Sequence, residues 1–246
     1  MPEDHFGESV AARFDERYAY QADAAVVGPM VDLLAELAGN GAALELGIGT
    51  GRVALPLAAR GVAVHGIELS EAMAARLRAK SGAESIGVTI GDFATATVEA
   101  TFRVAYLVAN TIMNLTTQDG QVACFQNVAA HLEPGGCFVI EVLVPGLRRL
   151  PPGERFQPFD VSPGHLGFDE YDVARQGLVS HHYWIEDGSV EVLSPPFRYV
   201  WPSELDLMAR LAGMTLRHRW AGWKREPFTS ESGLHVSVWE KPPSPA

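Results

Sequence analysis

Three glycines at alternate positions, Gly47, Gly49 and Gly51, follow the apolar run over residues 42–46 and precede an apolar helix-forming stretch over 53–59. Glycine is what a turn needs where its backbone must take positive φ or let a ligand lie directly on the main chain. A helix start behind such a turn adds unpaired N–H groups. The stretch therefore reads as a loop for holding a small molecule. Seventeen residues after Gly51 comes Glu68, at the end of a second apolar run over 62–67. A carboxylate there can accept hydrogen bonds from both hydroxyls of an adenosine ribose. A second kind of chemistry is offered by His181 and His182, since histidine is the side chain that takes up a proton near neutrality. Both stand in a predicted strand, where neighbours point to opposite faces, so one of the two can look into a pocket and serve as a base.

The elements that must position these groups follow from periodicity. Strands over 42–46 and 62–67, a helix over 71–79 that Ser70 can cap, and a short strand over 87–90 alternate as a parallel α/β sheet requires. A continuous apolar run over 104–108 reads as a strand covered on both faces. It delivers Asn110 and Asn114 to the edge that carries Gly47 and Glu68, the edge where open parallel sheets bind ligands. Thr116 to Asp119 is a capping pattern for a helix to about His131, and Glu133-Pro134-Gly135-Gly136 turns the chain into a fifth strand over 137–142.

The glycine spacing is G-x-G-x-G, and Arg52 holds the position where a dinucleotide-binding fingerprint needs its third glycine. A nicotinamide-dependent oxidoreductase is therefore the weaker reading. The ordered set resembles instead the class I S-adenosylmethionine-dependent methyltransferases. Their first motif, E/D-x-G-x-G-x-G, matches Glu45, Gly47, Gly49 and Gly51; their second acidic residue matches Glu68; and Gly91-Asp92-Phe93 matches the turn that holds adenine. The resemblance implies S-adenosyl-L-methionine as cosubstrate. It implies donor contacts at those residues, with Arg52, Leu69 and Asn110 beside them and with Tyr18 on an N-terminal segment that folds over the donor as a lid. Tyr20, Asn114 and Tyr199 are expected to face the acceptor, a small metabolite methylated on N or O, as in the secondary-metabolism branch of the family. A donor-binding regulatory protein without catalysis is the rival in another class.

After the fifth strand the alternation breaks. Pro145-Gly146, Pro151-Pro152-Gly153, Pro158 and Pro163-Gly164 predict a loop-rich connection, followed by strands over 173–184, 190–193 and 197–200. The last helix begins around Trp201-Pro202-Ser203-Glu204 with Ser203 as its cap, and strands over 215–220 and 234–239 complete the sheet. The expected fold is a Rossmann-like seven-stranded α/β sheet with helices on both faces, an antiparallel last strand and an antiparallel β insertion after strand five. Its parts are 1–40 (lid and helix), 41–145 (donor-binding core), 146–200 (substrate-covering insertion) and 201–246 (completion of the core sheet). Tyr199, Trp201, Trp220, Trp223 and Phe228 could line an aromatic acceptor pocket or simply pack.

With 30 acidic against 19 basic residues the net charge is −11, which argues against a nucleic-acid substrate. Cys124 and Cys137 have no metal-site spacing and read as core thiols of a reducing cytosol. No stretch reads as a signal peptide or a membrane span, so a cytoplasmic location is expected, and residues 241–246 read as a frayed tail.

Overall fold

Strand β1 (Ala43–Leu46) is buried at every position, as a strand between two layers of helices must be. In the computed structural model, which describes residues 5–243, β1 pairs in parallel with β2 (Val64–Glu68) on one side and with β4 (Phe102–Leu107) on the other. Beyond β2 lies β3 (Gly87–Ile90); beyond β4 lie β5 (Leu132–Leu143), then the antiparallel β12 (Leu234–Glu240) and β11 (Thr215–Trp220). The order is β11-β12-β5-β4-β1-β2-β3, so the winding reverses between β1 and β4, where such sheets open a crevice. This is the expected Rossmann-like seven-stranded sheet with its antiparallel last strand. Residues 1–4 and 244–246, and with them the ends of the leader and tail readings, lie outside the described residues.

Alternate strand residues feed two apolar layers. Ala43, Tyr106 and Val139 pack with Leu34 of α2 (Ala24–Ala38), Leu57 of α3 (Ala54–Ala59) and Leu77 of α4 (Glu71–Arg78). Leu44, Leu107 and Phe138 pack with Phe125 of α5 (Gln118–His131) and Leu205 of α6 (Pro202–Leu211). Helix ends follow local chemistry. Ser70 Oγ accepts from the Met73 N–H at 3.4 Å and Thr117 Oγ1 from the Gly120 N–H at 3.0 Å. The Ser203 expectation fails: Pro202 fits the first helical position, so the helix starts two residues earlier with Trp201 as cap and no side-chain bond there.

The region after β5 also departs from the expectation. Residues 156–172 form two strands, β6 (Phe156–Ser162) and β7 (His165–Asp172), and β8 (Gly177–Glu186) starts only after a turn at 173–176. Pro158 is tolerated because β6 is a sheet edge with an irregularity between Pro158 and Asp160. With β9 (Ser189–Leu193) and β10 (Pro196–Arg198), both along β8, they make a second, antiparallel sheet.

Two joints fix this sheet. Arg198 of β10, nearly buried, donates to Glu204 Oε1 of α6 at 2.7 Å and to Gln176 at 3.1 Å, and also meets Gln121 of α5. At the other end, helix α1 (Glu8–Arg17), which the sequence reading left as a polar lid segment, spans the gap to the core. Arg13 and Arg17 pair with Glu186 and Glu191, while Asp15 bonds Lys80 at 2.6 Å and Thr50 at 2.6 Å.

Candidate active site

The glycine loop is held against β2. Gly47 takes φ +67° and its N–H donates to the Ile67 carbonyl at 2.8 Å; a Cβ there would lie 2.7 Å from the Thr111 methyl. Gly49, at φ +56°, donates its N–H to Glu68 Oε2 at 2.7 Å, and the Ser70 N–H reaches Glu68 Oε1 at 2.9 Å. Two main-chain donors thus set the carboxylate's orientation while each oxygen keeps acceptor capacity for a ligand. Gly51 (φ +83°) does not face the cavity: it gives the loop its curvature and packs beneath Leu77, which a Cβ would strike. Glu45 is buried and accepts from the Tyr106 hydroxyl at 2.9 Å; burial pushes its carboxyl up to about 8 although that bond pulls it down. Arg52 donates to the Gln21 carbonyl at 3.0 Å, tying the loop to the N-terminal segment. The Asp92 turn is closed by the Ala94 N–H on Asp92 Oδ1 at 2.9 Å and by Asn127, which donates to the Phe93 and Ala96 carbonyls.

These residues enclose a cavity of about 160 Å³, with Glu45, Gly47, Gly49, Arg52, Glu68, Leu69, Asp92 and Phe93 in its wall. The fit to an adenosine-bearing cation is good in three respects. Bare main chain stands at Gly47 and Gly49, an oriented carboxylate at the end of β2, and a buried acid at Glu45.

A second cavity, of about 560 Å³, adjoins the first and shares Phe6, Phe14, Gln21, Ala109, Thr111 and Asn114 with it. Ala109 and Asn110 both take positive φ, 53° and 65°, an uncommon pair for residues with a Cβ and the kind of strain that collects at sites. Asn110 turns toward this larger cavity, its Oδ1 accepting from the Leu143 N–H at 2.8 Å, so it braces the β4 and β5 ends and stands outside the smaller cavity. Tyr18 likewise lines the larger cavity, as do Tyr20, which is exposed, and Tyr199.

Of the two histidines only His182 faces this cavity. His181 lies on the opposite pleat, bonding Ser194 and Glu170 beside Phe168, and the expectation of a catalytic role for it is corrected on that ground. Burial holds His182 down to about 4, with His165 and Arg17 pushing the same way, so it is a neutral proton acceptor at pH 7. The aromatic-pocket idea survives only for Tyr199: Trp223 is a core residue bonding Glu141 at 2.8 Å, and Trp201, Trp220 and Phe228 are absent from the cavity wall. Phe14, Thr111, Asp169 and Ser180 line the cavities without having been singled out. Phe14 stands four residues before Tyr18 on the same N-terminal segment, but nothing local marked the others.

Comparison with known proteins agrees with this geometry. A family model described as "Methyltransferase domain" matches residues 43–136. The structure of the CcbJ methyltransferase from Streptomyces caelestis is 36% identical, with a TM-score of 0.80 over 87% of this chain and 88% of that one. The cypemycin N-terminal methyltransferase of Streptomyces sp is 25% identical over 201 residues, 80% of this chain and 82% of the relative. CalS10, an amino pentose methyltransferase from Micromonospora echinaspora whose structure holds the methyl donor, shares the fold (TM-score 0.68, 20% identity, 91% and 95% coverage). The chain belongs to the class I S-adenosylmethionine-dependent methyltransferases, an enzyme family for which S-adenosylmethionine is the cosubstrate.

Proposed function

We propose that this enzyme methylates an N or O nucleophile of a small molecule seated in the larger cavity, by in-line displacement. The observation that carries the reading is the shared wall at Phe14, Ala109, Thr111 and Asn114, which sets the smaller cavity directly beside the larger one. S-adenosylmethionine supplies a methyl group made electrophilic by its sulfonium sulfur. The chain's task is to align the nucleophile with that methyl in a dry space, and orientation of this kind accounts for ~7 to 11 kcal/mol of a barrier.

In this reading Gly47 and Gly49 let the donor's methionine part lie on the main chain, and Glu68 holds the ribose. Leu69, Asp92 and Phe93 flank adenine, while Arg52 locks the loop beneath the N-terminal segment. Glu45 becomes the counter-charge of the donor's ammonium. Tyr18, Tyr20, Asn110, Asn114 and Tyr199 shape the acceptor's surroundings, and His182 is the neutral base facing it. The relatives named as a cypemycin N-terminal methyltransferase and an amino pentose methyltransferase support a small amine as the first acceptor to try.

Thermal stability with and without S-adenosylhomocysteine, beside NAD, for the native chain and Glu68→Ala, tests the donor half. Ligand at ~100 times its Kd stabilises by ~2.7 kcal/mol, several degrees in a chain of this size. Mass spectrometry of an amine and alcohol panel incubated with S-adenosylmethionine tests the acceptor half. A shift with NAD alone, or no methylated product from any compound that fits the cavity, would sink the proposal.

A further inference from the structure

The cavity-facing side of the second sheet carries a row of polar side chains joined end to end. Asp160 Oδ2 lies 2.7 Å from His165 Nδ1, His165 Nε2 lies 3.0 Å from His182 Nδ1, and His182 Nε2 lies 3.2 Å from Ser180 Oγ. The two imidazole planes differ by 12° with centroids 5.2 Å apart. At that separation, with nitrogens in hydrogen-bond range, the rings meet edge to edge, as an N–H···N bond requires. The row is a line and not a cluster: among the described residues no group of three His, Cys, Asp or Glu could hold a metal ion.

The local sequence makes room for it. Gly167 stands directly opposite His182 in the β7 and β8 register, and a Cβ there would strike the Phe159 ring. Phe159 instead lies 5.1 Å from the His182 ring and covers it. Asp169 stands directly across from Ser180, and both line the larger cavity together with His182. At the far end the Asp160 side chain is 41% exposed, in contact with bulk water.

With Asp160 ionised and both rings in the neutral form, one consistent set of bond directions runs along the row. A carboxylate only accepts, so His165 donates from Nδ1, accepts at Nε2 from His182 Nδ1–H, and leaves His182 Nε2 to accept from the Ser180 hydroxyl. Every donor points from the cavity toward the rim.

We propose that Ser180, His182, His165 and Asp160 form a proton wire that takes the acceptor's proton from the cavity, beside Asp169, to solvent. The proposal rests on the larger cavity being the acceptor site. As a proton passes from the acceptor's N–H or O–H to Ser180 Oγ, the Ser180 proton moves to His182 Nε2. The His182 Nδ1 proton moves to His165 Nε2 and the His165 Nδ1 proton to Asp160, which releases it to water. The pair left on the acceptor makes the new bond to carbon; both imidazoles stay neutral and exchange tautomers.

The charges facing His182 suit this. Arg17 from α1, His165 from β7 and His181 from its own strand disfavour a cationic ring, Asp160 from β6 favours one, and the balance with burial keeps the ring neutral. The bond from His165 holds the Asp160 carboxyl below its ordinary range, so it is ionised at neutral pH. Burial raises the Asp169 carboxyl, and the Ser180 hydroxyl lowers it when its one proton turns to Asp169 in place of His182. The Asp169 carboxylate gives a proton-bearing acceptor a reason to sit at the mouth of the wire.

The direct test is imidazole 15N NMR on the full chain saturated with S-adenosylhomocysteine. From about pH 5.5 to about 8, His182 should remain neutral with its proton on Nδ1. Asp160→Ala, at the exposed rim, should shift it toward the Nε2 tautomer, as should His165→Phe. A His182 that titrates in this range, or whose tautomer ignores Asp160, overturns the wire. In methyl transfer to the acceptor returned by the panel, His165→Phe should lower kcat ~10- to 100-fold below the acceptor's own pKa, with KM and S-adenosylhomocysteine affinity unchanged. Above that pKa it should converge on the native rate; a pH-independent loss overturns the proposal. Failure of all methyl transfer with the NMR pattern intact would remove the acceptor reading beneath the wire, whereas turnover with an uncoupled His182 would remove the wire alone.

Discussion

The smaller cavity contains a strip of bare main chain: Gly47 and Gly49 at positive φ, beside the Asp92 turn and a Glu68 carboxylate oriented by two backbone N–H groups. The larger one is walled by side chains, with Asp169, Ser180, His182 and Tyr199 contributed by a separate sheet and its flanks. Backbone geometry is insensitive to most substitutions, so a wall made of it keeps one ligand over long divergence. A wall of side chains on an added sheet can be rewritten residue by residue without touching the other cavity. The contrast accounts for a family that holds its donor constant while its members differ in what they methylate.

The sharpest way to break the contrast is at the joint between the two. Removing Arg198 as Arg198→Met leaves Glu204 with two glutamines in a largely buried setting. Breaking such a pair costs ~3 to 5 kcal/mol, and melting should fall by roughly 6–15 °C. Calorimetry reads it, and a fall of under about a degree would mean that the second sheet is held by other contacts. Next comes Glu68→Ala, which should weaken S-adenosylhomocysteine ~10- to 100-fold by titration calorimetry, given ~1.5 to 3 kcal/mol for a hydrogen bond to a charged group. Acceptor discrimination should be untouched.

A smaller effect belongs to Glu45. Its folded pKa is raised, to about 8 in the free site, so below that pH the carboxyl is protonated and a cationic ammonium gains nothing from it. Donor affinity should therefore rise as pH climbs toward about 8 and level off above it, by up to ~10-fold per unit, and Glu45→Gln should flatten the curve. The smallest is Glu191→Gln, which loosens the hold of the exposed Glu191 carboxylate on Arg13 and on the nearly buried Arg17. Such pairs are weak and screened by salt, so the expectation is an unchanged melting temperature and a roughly twofold higher acceptor KM that the native chain reproduces at high salt.

Legibility in the sequence follows the same division. Gly47, Gly49, Glu68 and Asp92 could be read because a main-chain site needs particular residue types at fixed short spacing, and that spacing survives as a motif. The seven-stranded sheet was readable for a similar reason, since β1 and β4 are apolar at every position but one each, Glu45 and Arg103. The wire was not readable. Asp160, His165 and His182 meet only through the β6, β7 and β8 register, which depends on a bulge near Pro158 and on the turn at 173–176. Pro158 and Pro163 also hid β6 as loop, because proline speaks against a central strand and is silent about an edge. The histidine pair lies on β8, and pleat alternation leaves one of the two, His182, in the wall of the larger cavity; sequence alone held no reason to choose it.

The Arg198 joint has a practical corollary for protein engineering. Because β10 reaches the core through Arg198 and its contacts with Gln121 and Glu204, residues 146–200 constitute a cassette whose docking plug is known. A chimaera that imports the corresponding segment of a relative should fold when the partners on α5 and α6 travel with it, and should misdock when they are left behind. Swapping segments in that matched form offers a route to new acceptor scope on an unaltered donor platform.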